Sequence, residues 1–512
     1  MHPFLARCWP AFIAAALVCL PLDAQTQAGP WPTQQWATAT PEELGMDSAA
    51  LAALVDFGAA GDMDSLVVTR HGRLVAEAYF APFKPGMRHK INSATKGVVA
   101  ALTGIAIEQG KLSGAAQPVL PLFADRNIAN VDDRKRAMTV QHLLDMTSGL
   151  DWTEPLTDAP PDSMIDMRRS ADWVQFILDR PMAQAPGTAF NYSSGNSHLL
   201  SAILARQTGM SVPDFATQHL FRPLGISDVV WQKDPQGLAI GGFGLYLQTR
   251  DMAKIGYLYL RGGQWEGAQI VPRSWVNKVY QARVSMVFPP TTSTSLRYGD
   301  QWWTHPERKA YMAVGYHRQI ILVMPQEGLV AAMTGRKHYA ITEMLELMAR
   351  SVKSDGALAP NPEGAALLAQ RVREAASEKL VVAAAPALAQ GISGKTYRLA
   401  PNNLGVREFT LHLTASPSYD IVSYVARGSS ETKKVSLPLG LNGQFMPGDV
   451  TDGAAFVSKA SWTGPDTLTL VARRPQEADT VRYVLKFSGK QVAVSFINAF
   501  GFQQNLTGET SD

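Results

Sequence analysis

Ser93-Ala94-Thr95-Lys96, followed by Gly97-Val98-Val99-Ala100-Ala101-Leu102-Thr103-Gly104-Ile105-Ala106, is the stretch on which the reading of this chain turns. Val98, Val99, Leu102, Ile105 and Ala106 recur at i, i+3, i+4 spacing and predict a buried helix, with Gly110 just past its end. Residues three apart on a helix share a face, so Lys96 is placed to take a proton from Ser93. A serine at a helix start has backbone N–H groups and the positive dipole end beside it, which favour an oxyanion and disfavour a protonated lysine. Ser-x-x-Lys arises by chance roughly once or twice in a chain this long. Ser430-Glu431-Thr432-Lys433 is such a second match, in a polar, turn-like stretch. What separates Ser93 from it is the apolar helix that follows.

A second motif, Phe190-Asn191-Tyr192-Ser193-Ser194-Gly195-Asn196, lies between the turn signal Pro186-Gly187 and a helical run through Leu199, Leu200, Ile203 and Leu204. Alone, Tyr192 reads as an aromatic anchor for a loop. Beside a lysine ammonium, a phenol is expected to have a lowered pKa. It then takes the serine proton and delivers it to a leaving group.

The chain has 512 residues, 46% hydrophobic and 18% charged, with a formal net charge of +3. That length predicts two domains, and the balance of charge points to no nucleic acid and no acidic membrane surface. Arg7, the apolar run Ala11 to Leu22 and Leu22-Asp23-Ala24 read as a cleavable signal peptide over 1–24, too short to be a mature transmembrane anchor. Both cysteines, Cys8 and Cys19, fall inside it. The expected mature chain is therefore secreted or periplasmic and free of disulfides, thiol catalysis and cysteine-ligated metal. Lipoprotein anchoring at Cys19 is disfavoured by Val18 before it.

Ser65 to Phe80 reads as a hairpin around His71-Gly72, and Tyr311 to Thr334 as three strands with Pro325-Gln326-Glu327-Gly328 as the last turn. Strands at both ends with helices between imply an α/β (α+β) domain, 25–355, whose antiparallel sheet is assembled from distant segments and flanked by helices. Residues 356–390 are linker-like with a short helix over Ala365 to Ala376. From 391 to 512 alternation such as Phe409, Leu411, Leu413 and Tyr483, Leu485, Phe487 predicts about eight strands in a barrel or sandwich.

The chain resembles the class C β-lactamase-like serine hydrolases, the family of penicillin-recognising esterases, D-aminopeptidases and nylon-oligomer (6-aminohexanoate dimer) hydrolases. Besides the two motifs above, the matching stretches are Thr139-Val140-Gln141-His142-Leu143-Leu144-Asp145-Met146-Thr147-Ser148-Gly149-Leu150, Gly241-Gly242-Phe243-Gly244-Leu245, Thr249-Arg250-Asp251-Met252-Ala253-Lys254 and Gly315-Tyr316-His317-Arg318-Gln319. The resemblance implies a β-lactamase/transpeptidase-like fold with Ser93 as nucleophile, Lys96 as its base partner and Tyr192 as general acid/base. It also implies that the strand ending at Gly315 offers a second oxyanion N–H. The final β domain is similar to lipocalin-like appendages through its texture and Gly394-Lys395-Thr396-Tyr397.

Two departures bear on substrate. Ser194 stands where β-lactamases carry the Asn of Tyr-x-Asn, as in the nylon-oligomer hydrolases. The family's Lys-Thr-Gly is not recognisable in Ala310-Tyr311-Met312-Ala313-Val314-Gly315. A β-lactam carboxylate thereby loses a partner, and an ester or amide substrate is favoured. Gly315, Tyr316, His317 and Trp152 are the remaining candidate substrate-binding residues, with Arg318 beside them. For His317 and Arg318 the competing expectation is a strand-end pair facing solvent, and for Trp152 core packing. His142, Trp302 and Trp303 read as structural.

No Gly-x-Ser-x-Gly elbow, His-Glu-x-x-His cluster, dinucleotide fingerprint or phosphate loop is present, so no metal and no cofactor are expected. The sequence reading is a serine hydrolase cleaving a small-molecule ester, amide or peptide through an acyl-serine. The alternatives are a D-amino-acid peptidase or weak β-lactamase, and a catalytically silent ligand-binding protein.

Overall fold

The computed structural model describes residues 31–511 except 156–160, 282, 287–295, 339, 379, 381–383, 415, 426–429, 452–453 and 500. The expected signal peptide, with Cys8 and Cys19, lies outside the described residues.

An eight-stranded antiparallel sheet forms the centre of the first domain. Across it run Arg73–Tyr79, Met63–Arg70, Leu329–Gly335, Gln319–Met324, Ala310–Gly315, Trp302–His305, Arg297–Gly299 and Val284–Ser285. The hairpin of residues 63–79 pairs with the last long strand, Val67 opposite Ala332, so the two ends of the domain meet in mid-sheet. Side chains alternate between two cores, as the period of two requires. Val67, Ala313, Ile321, Val323 and Val330 face one core with the helix Thr95–Glu108. Leu66, Val68, Met312, Leu322 and Met333 face the other, with the helices Ser48–Ala60 and Ile341–Ser351.

The helix Thr95–Glu108 is more deeply placed than a one-sided apolar stripe predicts. Every residue from Thr95 to Ala106 is buried. It passes between the sheet and the helix Ser194–Thr208, so Gly97, Ala100 and Ala101 are covered as fully as Val98 and Leu102. Each fully buried Val, Leu or Ile there contributes about 1.5–3 kcal/mol, which makes its N-terminal turn a rigid platform.

The linker-like stretch holds a helix, Pro362–Ala375, whose Leu368 and Val372 join the second core beside Leu51 and Val55. Beyond it, ten strands from Thr396–Leu399 to Gln503–Glu509 form one antiparallel up-and-down sheet that curls into a nearly closed barrel, its seam between Thr432–Pro438 and Met446–Thr451. Its core is built by alternate residues, among them Phe409 and Leu411, Leu468 and Leu470, Leu485 and Phe487, Val492 and Val494.

Candidate active site

Ser93 sits in the 3-10 turn Asn92–Ala94 that leads into the buried helix. Lys96, one turn on, is 1% exposed and points its Nζ at three acceptors. They are Ser93 Oγ at 3.0 Å, Ser194 Oγ at 3.0 Å and the Gly242 carbonyl at 2.9 Å. Three acceptors match the three hydrogens of an ammonium. Burial pushes the Lys96 pKa down to about 8, with the carboxylate of Glu154 acting in the opposite sense. The lysine therefore has an appreciable neutral fraction near physiological pH.

The Gly242 carbonyl gets this close because a Cβ there would meet Ser194 Cβ at 3.0 Å. Gly241 beside it would place a Cβ 2.1 Å from the Ser197 carbonyl. The Gly241-Gly242 pair thus lets a loop press onto the start of the helix Ser194–Thr208, which Ser193 caps by accepting from the Asn196 N–H.

Tyr192 is hydrogen-bonded to Ser93, and its ring lies 4.8 Å from Lys96 Nζ. Its edge rests on Tyr298, centroids 6.3 Å apart. The expected lowering of its pKa does not occur. Burial raises it well above the ordinary phenol value and Glu154 raises it further, while only the Ser93 hydrogen bond acts downward. Desolvation is the largest effect and the Glu154 carboxylate adds to it, so the nearby lysine does not bring the phenol down. Tyr192 is therefore a protonated phenol, suited to donate.

Glu154 is the residue the sequence reading missed. Its Oε1 accepts from Ser194 Oγ at 2.6 Å, and its Oε2 from Ser194 N–H at 2.6 Å and Trp152 Nε1 at 2.9 Å. Ser194 accordingly accepts from Lys96 and donates to Glu154, linking base and carboxylate. Trp152 is buried against Phe176, centroids 6.5 Å apart, and serves to hold Glu154. No short motif contains Glu154; the signal available was its place two residues after Trp152.

These groups open on a cavity of about 880 Å³. Ser93, Tyr192, Ser194, Glu154, Gly315 and Tyr316 line it, as do Arg318, Trp303, Trp173 and Phe243. Trp152 and His317 are not among the described lining residues. His317 is 2% exposed, so it does not face solvent, and its ring lies 4.2 Å from that of Tyr316 and 5.1 Å from that of His338. Burial, chiefly, lowers the pKa of both histidines to about 4, so both are neutral at pH 7. Gly315 brings the strand Ala310–Gly315 onto the nucleophile turn, since a Cβ would meet the Ile91 carbonyl at 2.2 Å. Asn92 Nδ2 donates to the Tyr316 carbonyl at 3.1 Å across the same junction.

His142 is structural: its Nδ1 accepts from the Thr139 N–H in a capping box. Trp302 is buried on Tyr259, centroids 4.5 Å apart, whereas Trp303, expected to be structural, lines the cavity. Ser430 is exposed on the approach to the strand Thr432–Pro438, far in sequence and context from this cavity. Among the described residues no cluster of three or more His, Cys, Asp or Glu is arranged to hold a metal, and no helix is long and apolar enough to cross a membrane.

The profile of the Beta-lactamase family matches residues 48–347, more than half of the chain. The chain belongs to the beta-lactamase family. Within it, the chain is 28% identical over 280 residues to a 6-aminohexanoate-dimer hydrolase of Paenarthrobacter ureafaciens, covering 51% of this chain and 70% of that protein. It is 29% identical over 129 residues to a monacolin J acid methylbutanoyltransferase of Aspergillus terreus, 24% of this chain and 31% of the enzyme. Among solved structures, a Bacillus anthracis protein provisionally assigned as a 6-aminohexanoate-dimer hydrolase superposes with a TM-score of 0.51 at 18% identity, covering 68% of this chain and 89% of that one. That likeness is one of fold. As a beta-lactamase-family serine hydrolase of the esterase/amidase type, the chain brings the Ser93 hydroxyl, the Tyr192 phenol and the Glu154 carboxylate to one cavity, with the Lys96 amine buried 3.0 Å from Ser93 Oγ.

Proposed function

We propose that the protein cleaves a small-molecule ester or amide through an acyl-enzyme on Ser93. The observation that carries this reading is the 3.0 Å contact from Lys96 Nζ to Ser93 Oγ, made by a lysine whose pKa burial has lowered to about 8. Neutral Lys96 accepts the Ser93 proton as Oγ bonds to the carbonyl carbon. The resulting oxyanion lies against the backbone of the nucleophile turn and of Gly315–Tyr316, where preorganised N–H donors stabilise it. Collapse breaks the bond to the leaving alcohol or amine, which takes a proton from the Tyr192 hydroxyl; the Lys96 ammonium restores that proton. Water then attacks the acyl carbon, losing its proton to the same pair, which passes it to Ser93 Oγ as the bond to the acyl carbon breaks and the acid is released.

Esters and amides are favoured over β-lactams because the strand Ala310–Gly315 brings no lysine to the cavity. The signal-like leader supports export to the periplasm or beyond. The up-and-down order of the barrel agrees with a lipocalin-like appendage, and such a likeness assigns it no role.

The test is mass spectrometry of the protein after a fluorophosphonate probe, followed by turnover of short-chain p-nitrophenyl esters and D-Ala-D-Ala peptides. A single adduct on Ser93, lost in Ser93→Ala and kept in Ser430→Ala, with ester turnover exceeding peptide turnover, is expected. A folded protein without an adduct would identify a silent binding protein instead, and faster peptide turnover a D-amino-acid peptidase.

A further inference from the structure

The cavity is not closed by the hydrolase domain alone. Glu477, Ala478 and Asp479, which line it together with Ser93 and Tyr192, belong to the barrel. They sit on the six-residue connection between the strands Thr467–Arg473 and Thr480–Ser488. That loop is held at its base and its tip. At the base, Arg473 donates to Asp64 Oδ1 at 2.7 Å, with the two residues 2% and 0% exposed. Arg336 donates to the same oxygen at 3.1 Å, and His89 Nε2 lies 3.2 Å from the other. At the tip, the Lys90 N–H donates to the Gln476 carbonyl at 2.8 Å and the Tyr246 hydroxyl to Glu477 Oε1 at 2.5 Å. Lys90 stands three residues before Ser93, so the barrel grips the segment that carries the nucleophile.

We propose that the Arg474–Asp479 loop is the specificity wall of this hydrolase. Through Glu477 and Ala478 the barrel, and not the hydrolase domain, sets how long a chain the cavity accepts beside Ser93. Glu477 and Ala478 are buried, 7% and 5% exposed, in the enzyme with no substrate bound. A buried wall held by a buried ion pair does not yield to an oversized group, so misfit there costs rate. An appendage serving only solubility would need neither the ion pair nor the tip contacts. The inference rests on the Ser93 acyl-enzyme reading.

The experiment uses the full chain with two opposed variants. Ala478→Phe fills the wall and Glu477→Ala trims it. Active sites are counted with a small fluorophosphonate. The readout is the ratio of kcat/KM for long over short substrates in two ester series, one lengthening the acyl chain and one the alcohol. In at least one series the ratio should fall about tenfold or more in Ala478→Phe and rise in Glu477→Ala, the scale on which pocket misfit discriminates. A folding defect lowers the active-site count, leaves the ratio alone and cannot move it in opposite directions. Ratios unchanged within about twofold in both series and both variants, with Ser93 still labelled, would overturn the proposal. Loss of Ser93 labelling in the unsubstituted protein would instead remove the acyl-enzyme reading, and the wall proposal with it.

Discussion

Ser194 Oγ donates to Glu154 Oε1 at 2.6 Å while accepting from Lys96 Nζ at 3.0 Å. One hydroxyl therefore couples the buried amine to a carboxylate that acts on the protonation of both Lys96 and Tyr192. Glu154→Gln keeps the shape and removes the charge. Since Glu154 holds the Lys96 pKa up, its removal lets that pKa fall below about 8. The rising limb of kcat/KM against pH should move to lower pH, with kcat reduced about 10- to 100-fold as the proton relay is disturbed. A packing role alone would lower the rate without moving the limb.

In the unsubstituted enzyme the same limb should lie near pH 8, because the base form of Lys96 accumulates as pH rises through its lowered pKa of about 8. Tyr192, whose pKa is raised, stays protonated through this range and still donates. Lys96→Arg supplies charge but no neutral base, as arginine is not deprotonated in proteins. The limb should vanish and the rate fall about 10³-fold, within the range of a lost general base. A pH-rate profile measured with ester substrate from pH 5 to 10 (a range wide enough to span about two units either side of the limb) checks both statements.

Gly315→Ala tests the contact between sheet and nucleophile turn. A Cβ at this position meets the Ile91 carbonyl at 2.2 Å, and backbone cannot rotate out of the way as a side chain does. The strand must retreat from Ser93, and a shift of about 1 Å at a reacting centre costs about 100-fold in rate. The expected result is a folded protein by circular dichroism with kcat lowered about 100-fold.

Asp64→Asn tests the interdomain ion pair. The substitution leaves Arg473 buried opposite a neutral amide, and removing one partner of a buried pair costs about 3–5 kcal/mol. Arg473, Arg336 and His89 together hold the Asp64 carboxyl below the usual carboxylate range despite complete burial. A depressed carboxyl pKa gives stability that is present above the unfolded value and lost as pH falls through the folded one. Urea unfolding should show a lower midpoint for Asp64→Asn at neutral pH, and a gap that narrows in strong acid.

Much of the site was legible because its spacing is local. Ser93 and Lys96 are one helical turn apart, so any helix in that stretch brings them together. Tyr192 and Ser194 could be named because a turn and a helix bracket them in sequence. The hairpin of residues 63–79 and the strands of 310–335 were legible for the same reason, their periodicity and turn residues being neighbours in the chain. Glu154 was not, since its importance lies in two hydrogen bonds to Ser194, forty residues away. Trp303 alternates with Trp302 along one strand, and only the side of the sheet each faces separates lining from core.

By itself, then, the sequence determined the chemical groups and their local order: a hydroxyl and an amine on one turn, a phenol on a capped loop, two domains of different texture. Tertiary structure decided their protonation and their surroundings. Whether a lysine lowers a tyrosine pKa depends on what else is buried beside them, and Glu154 with desolvation reverses the expectation drawn from the pair alone. It also decided that a loop almost four hundred residues beyond Ser93 shares its cavity. Local spacing is set by covalent geometry; charge balance and cavity walls are set by which distant segments exclude water together.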